Sequence, residues 1–125
     1  MKGRVLVVDD DDALAEMLGI VLRGEGFEPT FVSDGDKAMD AFHESRPDLV
    51  LLDMRLPGLD GFEVCRRLKA DPTTSDVPIV AVSGLSGGGQ RERALALGCA
   101  DWIAKPFDVD DLLARVRPYL LDAIR

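Results

Sequence analysis

The chain is poor in the residues that would announce a secreted scaffold or a membrane protein. It has two cysteines, Cys65 and Cys99, in 125 residues. Each falls in a helical or near-helical stretch beside apolar neighbours, so small buried thiols are favoured over a disulfide or a metal pair. There is one histidine, His43, on a predicted surface helix without a candidate partner, and it is assigned no catalytic role. No apolar run approaches the length of a membrane span, and Met1-Lys2-Gly3-Arg4 leads straight into a strand pattern rather than a signal peptide. A reducing, cytoplasmic setting is the expectation. Positive charge is also in deficit: 15 Lys and Arg stand against 23 Asp and Glu, a formal net charge of -8. That balance argues against non-specific binding to nucleic acid or anionic membrane, and otherwise serves solubility. Internal repeats, low-complexity tracts and interdomain linkers are lacking, so residues 1–125 are expected to form a single domain. Gly87-Gly88-Gly89 lacks the Gly-Lys-Ser/Thr of a phosphate-binding loop and is expected to be a mobile connection.

What is present is a globular composition, 46% apolar and 30% charged, arranged in strict alternation. Val5-Leu6-Val7-Val8 is a buried-strand run that stops at four aspartates, Asp9 to Asp12. Leu14, Met17, Leu18, Val21 and Leu22 follow at the spacing of one helical face. Asp11 or Asp12 suits the N-cap, and Gly24 and Gly26 suit the stop. Phe27 to Val32 reads as a strand, and Ala38, Ala41 and Phe42 mark a helix before Pro47. The run Val50-Leu51-Leu52-Asp53-Met54 is a strand followed by the Pro57-Gly58 turn. A helix is predicted over Gly61 to Ala70, then a polar loop from Asp71 to Asp76. Pro78 to Val82 is a strand ending on Ser83, followed by a loop from Gly84 to Gly89 and a short helix near Gln90 to Leu97. Trp102-Ile103-Ala104 is a last strand ending on Lys105-Pro106. Val109, Leu112, Leu113 and Val116 mark the last helix, with Asp108 as its cap and Pro118 expected to end or kink it. Five strand–helix alternations predict an α/β fold, a doubly wound parallel sheet with helices on both faces.

In a parallel sheet the strand carboxyl ends share one edge. The strand order 2-1-3-4-5 would bring Asp9, Asp10 and Asp53 to the crevice between the first and third strands. Lys105 would lie about 10 Å away, two strand spacings, within the inward reach of a lysine. Three such carboxylates repel one another, and a hard divalent cation is the natural remedy. Asp11 and Asp12 are read instead as acids at a helix start. A carboxylate nucleophile, a cation, an ammonium and a hydroxyl are the parts of a phosphoryl-accepting site.

These residues resemble the receiver domains of bacterial two-component response regulators over essentially the whole chain. The marks are Val7-Val8-Asp9-Asp10, Leu52 through Gly61, Val82-Ser83-Gly84 and Lys105-Pro106-Phe107. The resemblance implies a flavodoxin-like, CheY-like three-layer sandwich with five strands in the order 2-1-3-4-5. It implies Asp53 as phosphoacceptor, Asp10 and Asp53 as direct ligands of Mg²⁺ (or Mn²⁺), Asp9 as a ligand through water, and the main-chain carbonyl of Arg55 as a third protein ligand. Ser83 would be the switch hydroxyl, Lys105 the phosphate-binding cation, and Lys105–Pro106 a cis bond. Trp102 stands where the family has an aromatic ring that turns inward, the alternative being a strand residue half packed against helices. Arg55 and Leu85 would tune the lifetime of the phosphoryl group. Arg91-Glu92-Arg93 is read as a solvated face on the surface that this family uses for partners.

The implied function is a phosphorylation-switched module rather than an enzyme. A histidine kinase or a histidine phosphotransfer protein would donate the group, and a downstream protein or an output domain outside this chain would read the state. No direct nucleic-acid or membrane contact is expected, and the symmetric dimer of DNA-binding regulators is left uncommitted. The alternatives are a Mg²⁺-dependent aspartyl phosphatase similar to haloacid dehalogenases, built on Asp9-x-Asp11, and a pseudo-receiver that binds partners unphosphorylated.

Overall fold

A computed structural model describes residues 3–85 and 88–123, with side chains given to residue 121. Five parallel strands run β1 (Arg4–Val8), β2 (Glu28–Val32), β3 (Leu49–Leu52), β4 (Ile79–Ser83) and β5 (Asp101–Ala104). They lie in the order β2-β1-β3-β4-β5. The helices are α1 (Asp12–Gly24), α2 (Ala38–Ser45), α3 (Gly61–Ala70), α4 (Gln90–Ala96) and α5 (Val109–Ala123), with one 3-10 turn at Gly35–Lys37. Ser86 and Gly87, which complete the Gly84–Gly89 loop read from the sequence, lie outside the described residues.

The layering follows from the two-residue period of a strand. Leu6 and Val8 of β1 face one way and join Phe42 of α2, Phe62, Val64, Cys65 and Leu68 of α3, and Ala94 of α4. Val5 and Val7 face the other way and join Leu18 and Leu22 of α1 and Leu112, Leu113, Val116 and Leu120 of α5. All four residues of β3 are buried, as a strand covered on both faces requires. The result is a three-layer α/β sandwich.

The helix ends show why the boundaries fall where they do. The Asp11 carboxylate accepts from the Leu14 N–H at 3.1 Å and caps α1, and the Asp60 carboxylate accepts from the Glu63 N–H at 2.9 Å and caps α3. Gly24 does not stop α1 but is its last residue. The stop is Gly26, in the left-handed region at φ 86°. The Gly26 N–H donates to the Arg23 carbonyl, and the Phe27 N–H donates to the Leu22 carbonyl. This is a Schellman closure, and it uses Phe27 and moves the start of β2 to Glu28. Likewise β3 ends at Leu52, so Asp53 and Met54 belong to the turn rather than to the strand.

Pro118, expected to end or kink the last helix, does not end it: α5 continues to Ala123. Pro118 and Ala114, whose carbonyl the missing N–H would have engaged, are both exposed, so water can satisfy that carbonyl. On the opposite face Leu112, Val116 and Leu120 are fully buried and hold the helix across the proline.

Candidate functional site

Asp53 follows β3 directly, and its N–H donates to the Val8 carbonyl of β1 at 2.9 Å. This bond extends the β1–β3 ladder by one step and sets Asp53 beside Asp9. Asp9 in turn donates its N–H to the Val32 carbonyl of β2. Both carboxylates are buried, Asp9 at 7% and Asp53 at 6% exposure, while Asp10 is exposed. Oxygens of Asp9, Asp10 and Asp53 all lie within 4.8 Å of one another.

Lys105 comes from the end of β5. Its N–H donates to the Ser83 carbonyl at 2.9 Å, and its side chain reaches across two strands. The ammonium donates to Asp9 Oδ2 at 2.7 Å and to Asp53 Oδ2 at 3.2 Å. The second oxygen of each acid is held by a main-chain group, Asp9 Oδ1 by the Asp11 N–H and Asp53 Oδ1 by the Arg55 N–H, both at 2.9 Å. Burial pushes the Asp53 carboxyl above its ordinary range; the Arg55 N–H and the Lys105 charge oppose that push, and Asp9 adds to it. Burial would lower the Lys105 ammonium, but the Asp9 hydrogen bond and the charges of Asp53 and Asp9 outweigh it and raise its pKa.

Ser83 ends β4, fully buried, and its hydroxyl accepts from the Leu85 N–H at 3.1 Å. Leu85 is half-buried and Arg55 exposed. The Lys105–Pro106 peptide is cis. Gly61 packs directly on the Asp53 carbonyl and on Met54, where a Cβ would collide, so the start of α3 sits hard against the site.

Three carboxylates and one ammonium leave the cluster two negative charges in excess. An all-oxygen donor set of that charge, with one acid open to solvent, fits a hard divalent cation. Asp11 is not a member. Its carboxylate caps α1, so the Asp9-x-Asp11 pair of a haloacid-dehalogenase-like phosphatase is not assembled.

Trp102 is 8% exposed, buried rather than half packed. It borders a cavity of about 370 Å³ with Leu85, Gln90, Glu92 and Ala104. The Arg91–Arg93 stretch is exposed throughout, as a solvated face, and one of its side chains also makes a contact across helices. The Arg93 guanidinium lies 4.0 Å from the centre of the Phe62 ring, joining α4 to α3 through a cation–π contact. That contact was beyond sequence reasoning, because no period in the sequence pairs two residues so far apart.

Comparison with known proteins agrees with this geometry. The model of a family described as response regulator receiver domain matches residues 5–117. The DNA-binding response regulator MtrA of Mycolicibacterium smegmatis is 51% identical over 120 residues, covering 96% of this chain and 51% of that protein. The chain therefore spans about half the length of the MtrA relatives it matches. The BeF3-activated N-terminal receiver domain of Klebsiella pneumoniae RstA superposes with a TM-score of 0.88 at 31% identity, covering 94% of this chain and 98% of that one. The receiver domain of the sensor histidine kinase PA1611 from Pseudomonas aeruginosa PAO1, which has a magnesium ion coordinated in its active site cleft, gives 0.86 at 32% identity, covering 96% and 98%.

Proposed function

The chain belongs to the response regulator receiver domain family, and on that premise we propose that Asp53 is the residue that takes up the phosphoryl group. The domain is a phosphorylation-activated switch of a two-component system. The observation that carries the assignment to Asp53 is the Lys105 ammonium, shared between Asp9 and Asp53 at the edge of the sheet. Asp9 is held in the same way, by the Asp11 N–H and Lys105, and the choice between the two buried acids rests on the resemblance of Leu52 through Gly61 to the acceptor segment of receiver domains.

A carboxylate oxygen of Asp53 attacks phosphorus, and the bond from phosphorus to the donor imidazole nitrogen breaks with the electron pair leaving on nitrogen. Asp10, Asp53 and the main-chain carbonyl of Arg55 would hold Mg²⁺ or Mn²⁺ directly, with Asp9 acting through water. Such an ion would supply charge neutralisation for the group in transfer. Lys105 keeps a positive charge at the oxygens on the other side. Afterwards the added charge and acceptors draw the Ser83 hydroxyl away from the Leu85 N–H. Leu85 and Trp102 border the same cavity, so a shift of the Ser83–Leu85 turn is felt at Trp102 and on α4. Arg55 and Leu85, flanking the acceptor and the hydroxyl, would set how readily water reaches the phosphoryl group.

The role is that of a phosphoacceptor and not of an enzyme acting on a separate substrate. The donor would be a histidine kinase or a histidine phosphotransfer protein in the cytoplasm. The reader would be a partner on the α4–β5–α5 face or an output domain, as in MtrA, whose name describes DNA binding. The folded unit would be one receiver domain.

Intact mass after incubation with acetyl phosphate tests this. One phosphoryl adduct that requires Mg²⁺ and vanishes in Asp53→Asn is expected. A folded protein that takes up nothing under any condition would overturn the assignment.

A further inference from the structure

Cys65 of α3 and Cys99, in the segment between α4 and β5, lie with their sulfurs 3.4 Å apart. Cys65 Sγ also points at the Leu97 carbonyl at 3.7 Å. Both residues are buried in the layer that holds α2, α3 and α4. Thirty-four positions separate them in the chain, and the stretch between contains β4, Ser83 and α4. We infer that Cys65 and Cys99 are a redox modification site: on meeting a peroxide they join in a reversible intramolecular disulfide that ties α3 to the α4–β5 segment.

Several observations support this. The thiols already touch, and closing to a bond requires the sulfurs to approach by only about 1.4 Å. Both ends lie beside elements that are themselves in contact, since Arg93 of α4 stacks on Phe62 of α3. Burial decides the oxidant. Cys65 is fully covered and Cys99 keeps 5% of its surface, so a protein thiol exchanger is shut out, and only an oxidant as small as peroxide can pass Cys99 to reach the Cys65 sulfur 3.4 Å behind it. The pair also differs in acidity. The hydrogen bond from Cys99 lowers the Cys65 thiol, helped by the Lys69 cation, and the same contact together with burial pushes Cys99 up. Cys65 is therefore the better nucleophile.

The chemistry balances. The Cys65 thiolate attacks one oxygen of hydrogen peroxide, an S–O bond forms, the O–O bond breaks, and hydroxide leaves to become water with the thiol proton. Cys99 then attacks the Cys65 sulfur and gives up its proton. The S–S bond forms, the S–O bond breaks, and the second water departs. Two electrons pass from the sulfur pair to the peroxide. The site is separate from Asp53 and needs neither phosphoryl group nor metal.

The test uses the 125-residue chain, reduced and then treated with hydrogen peroxide at a level that leaves its circular dichroism intact. Remaining thiols are capped with iodoacetamide in denaturant before intact mass and peptide mapping. The expected result is a monomer that has lost two hydrogens, takes no cap, yields a linked Cys65–Cys99 peptide, and returns to the dithiol with dithiothreitol. Two capped thiols, added oxygen atoms, or covalent dimers would overturn the proposal. In Cys65→Ala and in Cys99→Ala the lone remaining thiol is expected to stay available to the cap or to take oxygen. Asp53→Asn should form the bond as wild type does, so the outcome is independent of the phosphoryl assignment.

Discussion

Lys105 is the single residue on which the site's electrostatics turn. Its charge serves two buried acids, at 2.7 Å and 3.2 Å. Because its pKa is raised in the folded chain, its stabilising contribution is complete below the ordinary value of 10.5 and is lost as pH rises through the folded value. Lys105→Met keeps the apolar stem and removes the charge, leaving Asp9 and Asp53 face to face. Urea unfolding of the metal-free variant at neutral pH should show a loss of roughly 1–3 kcal/mol. The same variant should bind Mg²⁺ more tightly, since no ammonium competes for the two oxygens; titration followed by Trp102 fluorescence checks this. A variant that binds Mg²⁺ more weakly would mean that Lys105 organises the carboxylates rather than merely neutralising them. Such residues were legible because each ends a short apolar run: Asp9 after Val8, Asp53 after Leu52, Ser83 after Val82. Residues whose meaning lies in a neighbour were not. Burial of Trp102 depends on how α4 covers β5, and the aromatic partner of Arg93 on where α3 lies.

At the level of elements, periodicity and capping residues carried most of the fold, and the clearest miss is α5. Expecting Pro118 to end or kink the helix weighed a local rule against a helical face traced only as far as Val116, and the ending is what the structure overturns. Leu120, one turn further on, is fully buried and outweighs the lost hydrogen bond. The proline still has its cost, so Pro118→Ala should restore an N–H to the Ala114 carbonyl and stabilise the chain by up to about 3 kcal/mol. An unchanged or lower urea midpoint would show that the helix is already bent to suit the proline. On α3, Glu63 ties the first turn together. Its side chain accepts from Arg66 at 2.9 Å and from Arg67 at 2.8 Å, and these bonds lower its pKa to about 2. A lowered acid stabilises above its unfolded pKa and loses that contribution as pH falls through the folded one. The lead of wild type over Glu63→Gln in urea midpoint should therefore narrow between about pH 4.5 and pH 2. A lead independent of pH would assign it to helix propensity instead.

Across the whole molecule, alternation of strands and helices fixes a sandwich but not the order of its strands. The three central strands, β1, β3 and β4, are short apolar runs, and nothing local says which lies beside which. The order came from family resemblance, and the β1–β3 and β3–β4 pairings bear it out. The contact between Cys65 and Cys99 illustrates the same limit, as only the assembled layer brings them together. That assembly also sets a tension between fold and function. Burial raises the Asp53 pKa, so the folded chain holds its proton more tightly than the unfolded one, and its contribution to stability falls as pH rises from 3.8 through the folded value. Near neutral pH and without metal, Asp53→Asn should therefore be more stable than wild type. Mg²⁺ should reverse the order. At about one hundred times its dissociation constant, an ion bound only by the folded chain adds about 2.7 kcal/mol. Wild type should gain that amount, and Asp53→Asn and Asp10→Asn much less. Paired urea titrations with and without Mg²⁺ measure both terms. If wild type were already the more stable without metal, Lys105 alone would balance the buried acids. The energy stored in their crowding, on which the pull of a cation and a phosphoryl group depends, would then be small.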